Sequence, residues 1–329
     1  MTKKNALYPF ELSFITRSPV WSGTRLADEW GKSDGNLKRI GESWELSVRK
    51  NEMSMVINGV FAGKELGTLI DMYGKDITGN GFGSENFPLL VKLIDSGEAL
   101  SVQVHPDDEY AISVEGTSGK TEMWYIIDAE EGAHVILGTK KGVGKEMIAG
   151  VTDPEKAESI FNKVTVHAGE TYFIPAGLLH AIGKGILLAE VQQNSDLTYR
   201  IYDYGRVESG TKTRELHTEK ALDVIRDFTA QEIEKLRFSR SFKMQKGGVL
   251  ADSDCFYVEL ADTTREKRTI PTSGKMLHML CIEGAGDIGY DGKSYEVRKG
   301  SSYLIPACLE SIFLGGVKML ITHDSSYLS

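Results

Sequence analysis

A chain of 329 residues holds enough material for two domains of ordinary size, each with its own core. Asp and Glu number 47 against 38 Lys and Arg, so the net charge is −9; this disfavours nucleic acid as a partner, and a phosphorylated ligand would need a local cluster of cations. The three cysteines, Cys255, Cys281 and Cys308, form no CxxC pair, the N-terminal MTKKNALYPFELSF has no apolar core, and no stretch is long enough to span a bilayer, so a reduced, soluble, cytoplasmic protein is expected.

In chain order, GESWELSVR alternates like a strand, and KELGTLIDMYG reads as a helix that starts near Gly63 and stops at Gly74. Six apolar, β-branched segments follow between Gly- or Pro-containing turns: PLLVKLI, ALSVQV, MWYII, AHVILG, TYFIP and GILLAEV. Between them DPEKAESIFNKV has an Asp-Pro start and helical spacing, and predicts an inserted helix. Residues 212–236 hold two more helical pieces, RELHTEKALDVIRD and TAQEIEKLRF, before a second strand-rich region. Short strands at this density predict a mainly β fold of the jelly-roll or barrel type with a few short helices. HAGETYFIPAGLLHAI (167–182) aligns without gaps on RKGSSYLIPACLESIF (298–313). A duplicated unit is therefore expected, with one jelly roll over residues 1–240 and a second over 241–329.

Two phosphate-loop look-alikes fail. Gly284, Gly286 and Gly289 spell GxGxxG, but YDGKSYEVRKG after them alternates like a strand where the dinucleotide fingerprint requires a helix. GTKKGVGKE carries Thr139 and Glu146 where a phosphate loop needs Gly and Ser or Thr. His134, His217, His278 and His323 have no ligand-type companions and are read as structural; His167 is read as a surface residue.

Gln103 and His105 in SVQVHPDD lie two apart, and on a strand such residues point to one face. Glu122 in GKTEMWYI and His180 in PAGLLHAIG end two further strand-like segments. One amide oxygen, two imidazole nitrogens and one carboxylate make a mixed N/O shell suited to a divalent metal, with zinc the best match. In the repeat, His180 aligns with Ser311, so the second copy is expected to lack the metal site. Lys120, two residues before Glu122, should share its face, and Lys92 in PLLVKLI is a lysine inside an apolar strand, which is uncommon unless it is paired or lines a cavity. From pattern alone, Arg200 is equally a site residue or a surface arginine paired with an acid such as Asp203.

FPLLVKLID, SVQVHPDD, GKTEMWYI, PAGLLHAIG and EVQQNSDLTYRIYDYGR, in this order and spacing, resemble the type I mannose-6-phosphate isomerase family in its short bacterial form, a zinc cupin. The resemblance runs from about Phe10 to Arg206 and more loosely to the C-terminus. It implies two cupin-type jelly rolls and a metal-dependent aldose–ketose isomerase that interconverts mannose 6-phosphate and fructose 6-phosphate through an enediol. It also implies a zinc ion on Gln103, His105, Glu122 and His180, with Arg200 as the catalytic arginine and Lys120 as a substrate contact. Arg206 stands where the family's long form has a lysine, and Trp21 and Glu42 match segments that border its pocket, though a packing role fits these two equally well. Ile182 replaces a tyrosine of the long form, and EGTSGKTE replaces its Asn-His-Lys-Pro-Glu run. The expected partner is a small sugar phosphate, with the chain a monomer or homodimer. Two rival classes are another metal cupin enzyme, such as an iron oxygenase, and a non-catalytic sugar-binding cupin; the first needs more open coordination positions, and the second does not require Arg200, Lys120 and four ligands together.

Overall fold

The computed structural model describes residues 7–33, 35, 37–209, 212–238 and 248–325. The runs PLLVKLI, GILLAEV and MWYII become three neighbouring strands, Leu89–Ser96, Ile186–Gln193 and Glu122–Ala129, at the centre of a seven-stranded antiparallel sheet. It continues through Thr171–Ile174 to Arg237–Phe238 on one side and through Glu42–Leu46 to Ile15–Arg17 on the other. A five-stranded sheet, ordered Phe161–Thr165, His134–Thr139, His180–Ile182, Val102–Val104 and Tyr199–Tyr202, closes the first jelly roll.

The central strands read as nearly continuous apolar runs because both faces of the seven-stranded sheet are covered. Ile94, Trp124, Ile126, Ile186 and Leu188 pack inward with Val135, Leu137 and Ile182 of the facing sheet. The alternate residues, Val91, Leu93, Met123, Tyr125, Leu187, Ala189 and Val191, join a second core with Leu277, Met279, Leu304 and Leu320. That core lies against the second jelly roll, built on an eight-stranded sheet whose two longest strands, Leu277–Tyr290 and Ser311–Asp324, each have 14 residues and pair with several partners along their length. The N-terminal Phe10–Glu11 strand pairs with Tyr303 and Leu304 of this second sheet. The expected division after residue 240 lies outside the described residues.

The expected helices form at Leu66–Tyr73, stopped by Gly74 at φ 51, and at Thr218–Val224 and Ala230–Lys235. DPEKAESIFNKV divides instead. Asp153 caps a helix over Pro154–Ile160, and Phe161–Thr165 then leaves in extended conformation to pair with His134–Thr139, so strand pairing overrides the helical spacing of Phe161 and Val164. A helix at Asp108–Glu115, absent from the expectations, is set by the Asp107 cap on Tyr110 N and by Gly116 in the left-handed region at φ 70. Gly284, Gly286 and Gly289 lie inside the Leu277–Tyr290 strand, and the strand Lys293–Arg298, not a helix, follows them after a turn beyond Tyr290; a Cβ on Gly286 would stand 1.9 Å from the Gly315 carbonyl oxygen.

Pairing extends the repeat. Glu122 opposes Ile174 in the first jelly roll and Leu277 opposes Ile305 in the second, with Ile174 and Ile305 equivalent in the sequence alignment. Leu277 thus takes the place of Glu122, and Ser311 that of His180, which leaves the second copy without counterparts of two of the four candidate ligands.

His278, fully buried beside Leu277, offers a test of the core between the jelly rolls. Ser302 Oγ donates its hydrogen to Glu45 O at 2.7 Å, so the 2.8 Å contact with His278 Nε2 has the imidazole donating. Burial, aided by Lys32, lowers the His278 pKa from 6.5 to about 3. Between those values the unfolded chain takes up a proton that the folded chain refuses, so the His278 contribution is complete above pH 6.5 and falls by up to about 1.4 kcal/mol per pH unit as the pH drops below it. Denaturant midpoints at pH 7 and pH 5 should therefore separate less in His278→Gln than in the parent; equal separations would contradict this.

Candidate metal centre

Three strands deliver the candidate ligands to one point. Gln103 lies in Val102–Val104 and His105 just beyond it, Glu122 opens Glu122–Ala129, and His180 opens His180–Ile182. Gln103 is the register partner of both His180 and Arg200, so the three side chains form one row across the five-stranded sheet. His105, Glu122 and His180 bring ligand atoms within 4.8 Å of one another, and all three are buried.

The hydrogen bonds behind the imidazoles fix their tautomers. His105 Nδ1 donates to Leu197 O at 2.7 Å and His180 Nδ1 to Leu178 O at 2.8 Å, so each Nε2 turns its lone pair toward Glu122. The Nε2 atoms lie 3.4 and 3.5 Å from the two Glu122 oxygens. Glu122 Oε2 is buried and receives no hydrogen bond of good geometry, although Lys120 Nζ stands 2.9 Å away. Gln103 presents Nε2 to His180 Nε2 at 3.5 Å, while Oε1 accepts from Ser101 Oγ at 3.2 Å; rotation of the amide exchanges the two atoms.

Electrostatics favour the protonation states a cation needs. Burial, with Lys120 adding to it, lowers the His105 pKa to about 3, and burial lowers that of His180, so both rings are neutral. Burial pushes Glu122 upward, but Lys120 and the imidazoles outweigh it and hold the carboxyl well below its ordinary range. Burial pushes Lys120 downward, yet Glu122 and Glu190 leave it above its usual value and charged. Two neutral imidazoles, an ionised carboxylate and an amide fit a divalent metal ion.

The other expected residues fall into four places. Lys92, Trp44, Glu190 and Trp124 form a cross-strand row on the inner face of the seven-stranded sheet. Lys92 Nζ lies 3.4 Å from Glu190 and 3.8 Å from Glu42, and Trp44 Nε1 donates to Glu42 at 2.7 Å. Arg200 donates through Nε to Ser101 Oγ at 3.2 Å and through a terminal nitrogen to Glu215 O at 3.0 Å; Ser101 thus links it to Gln103. Arg206 instead turns to Asp203 and to Ala99 O, and Arg214 also engages Asp203, at 2.7 Å. Trp21 is buried in the apolar cluster that holds Ile94, Leu100 and Trp124.

Residues 10–140 match the family model described as phosphomannose isomerase type I, catalytic domain, and residues 248–323 match mannose-6-phosphate isomerase, cupin domain. Mannose-6-phosphate isomerase of Streptococcus mutans is 34% identical over 321 residues, 96% of this chain and 98% of that protein. The chain belongs to the type I mannose-6-phosphate isomerase family. Mannose-6-phosphate isomerase ManA of Bacillus subtilis is also 34% identical, over 94% of this chain and 96% of its own length. The crystal structure of the mannose 6-phosphate isomerase from Bacillus subtilis superposes with a TM-score of 0.81 at 32% identity, covering 96% of this chain and 99% of that one. The fold extends to a phosphomannose isomerase from Salmonella typhimurium, with TM-score 0.78 at 14% identity over 97% of this chain and 100% of that one.

Glu190 is the site residue that sequence reasoning passed over. It is buried, accepts from Trp124 Nε1 at 3.0 Å, and has its pKa raised from the ordinary value by burial and by Glu122, against Lys120 and Lys92. Its signal was available: an acid inside ILLAEVQQ is as unusual as the lysine inside PLLVKLI, and the two are register partners.

Proposed function

We propose that this chain interconverts mannose 6-phosphate and fructose 6-phosphate through an enediol, with one zinc ion held by Gln103, His105, Glu122 and His180. The arrangement of His105 and His180 supports this most directly: each ring is pinned through Nδ1 and offers Nε2 beside an ionised carboxylate. When bound, the cation would orient the sugar oxygens and offset the charge that develops on oxygen as carbon is deprotonated.

The chain's own groups supply the rest. Arg200 cannot lose its proton, and Ser101 and the Glu215 carbonyl fix its orientation, so it suits stabilisation of the enediol oxygen. Lys120, charged and buried, serves as a donor to the substrate, and Lys92 and Arg206 supply positive charge against the acidic background. Glu42 is placed to accept from sugar hydroxyls, and Trp21 walls the pocket. Residues 1–240 form the catalytic unit and 241–329 the second jelly roll, with Phe10–Glu11 lent to the latter's sheet. We further place the protein in the cytoplasm as a monomer or homodimer, with no nucleic-acid partner; among the described residues no helix is long and apolar enough to cross a membrane.

Substrate choice tests the reading. Mannose 6-phosphate and glucose 6-phosphate differ only in configuration at C2, where the proton leaves, so a site that fixes the sugar oxygens reaches that proton in only one of them. Coupled assays of the metal-loaded chain should show turnover of mannose 6-phosphate and none of glucose 6-phosphate. Equal rates on both, or no rate on either at full metal occupancy, would count against an isomerase and favour an oxygenase or a sugar-binding cupin.

A further inference from the structure

The Glu42–Leu46 strand serves two environments. Glu42 and Trp44 turn toward Lys92, inside the first jelly roll. Ser43 and Glu45 turn the opposite way, into the boundary with the second. Glu45 is fully buried: one carboxylate oxygen is 2.6 Å from Lys32 Nζ and the other accepts from Ser43 Oγ at 2.7 Å. Lys32 Nζ also donates to Gly300 O at 2.7 Å, and Ser302 Oγ donates to Glu45 O at 2.7 Å. Residues 300 and 302 belong to the second jelly roll, so one buried network crosses the boundary.

It meets the strand where regular pairing fails. Trp44 opposes Lys92 and Leu46 opposes Val91, so Glu45 is an extra residue, a bulge. Bulges bend a strand and re-aim the side chains beside them, and the ladder alone does not fix that bend. A buried ion pair adds little net stability over apolar packing, so a role in holding geometry accounts better for Lys32 and Glu45 than a stabilising one.

We propose that Lys32, Glu45 and Ser302 are positioning residues: through them the second jelly roll holds the Glu45 bulge and so sets Glu42 and Trp44 against Lys92 in the sugar-phosphate pocket. This rests on the reading above, in which Lys92 and Glu42 contact substrate. It also gives a task to the copy that has lost its ligands.

The test is steady-state kinetics on mannose 6-phosphate with metal-loaded full-length chains: the parent, Lys32→Met/Glu45→Gln (which removes both charges together), Lys92→Met, and all three changes combined. The clamp variant should keep its metal and raise KM about tenfold with kcat changed less than about threefold, within the range a displaced positioning element produces. Its KM effect should not multiply with that of Lys92→Met, since both act through one row of side chains; independent sites would give the product. An unchanged KM in the clamp variant, or a purely multiplicative combination, overturns the proposal while leaving the pocket reading intact. An unchanged KM in Lys92→Met overturns the pocket reading and the clamp's action through it. Should the double variant not fold, Ser302→Ala, which removes a single hydroxyl, decides in the same way: KM should rise, and a lowered melting temperature with unchanged KM is the negative result.

Discussion

Alanine at either His105 or His180 is expected to abolish bound metal and isomerase activity together. Each imidazole turns Nε2 toward Glu122, and the bonds from Nδ1 to Leu197 O and Leu178 O leave that nitrogen unprotonated, with Lys120 Nζ 3.2 Å from the Nε2 of His105. Changing a residue that merely orients a ligand commonly weakens a metal site about 10–100-fold, and loss of the ligand itself should exceed that. The protein should stay folded: Lys120 remains 2.9 Å from Glu122, so the carboxylate is not left as a lone buried charge. Metal per chain after dialysis against a weak chelator, with activity on the same samples, checks the prediction. Full metal content in both variants would remove these histidines from the ligand set.

Arg200→Ala should behave differently. Charge develops on the substrate only as the carbon is deprotonated, so a fixed guanidinium acts mainly on the transition state, and its loss should lower kcat by at least about a hundredfold. Metal content should be unchanged, because Arg200 is not itself a candidate ligand and its Nε reaches Gln103 by way of Ser101. Ser311→Ala, at the position equivalent to His180 in the second jelly roll, should alter neither. Rates at matched metal occupancy decide it: a mild loss for Arg200→Ala, or a severe one for Ser311→Ala, would mean that Arg200 has the wrong role or that the active centre lies in the other half.

The four expected ligand residues were legible because each carries its own local signal: a same-face pair at i and i+2, an acid at a strand start, a histidine after a Pro-Ala-Gly turn. The repeat was legible for the same reason, since turn residues recur at fixed offsets. What depends on pairing between distant segments was not. Nothing local in ILLAEVQQ says that Glu190 faces Lys92, which lies 98 residues earlier and is reached only through strand register. Arg206 is a further case: its place after Arg200 suggests a role toward substrate, but nothing local in the sequence says that the fold also engages it with Asp203 and Ala99 O. The Asp108–Glu115 helix was hidden by strand-like neighbours on both sides, although Asp107 and Gly116 mark its ends.

The seven-stranded sheet is a shared wall, and this bears on how such a chain can be cut or recombined. Its outer face presents Val91, Leu93, Met123, Leu187 and Val191 to the second jelly roll, all nearly inaccessible to water. At about 1.5–3 kcal/mol for each large aliphatic side chain buried, uncovering them would cost an amount comparable with the whole stability of a typical domain, about 5–15 kcal/mol. A fragment that ends before the second jelly roll would carry every candidate ligand and still expose a flat apolar surface prone to self-association. The second jelly roll thus serves as a cover for the first, so its loss should appear in a cell as insoluble protein and not as a soluble enzyme of reduced rate.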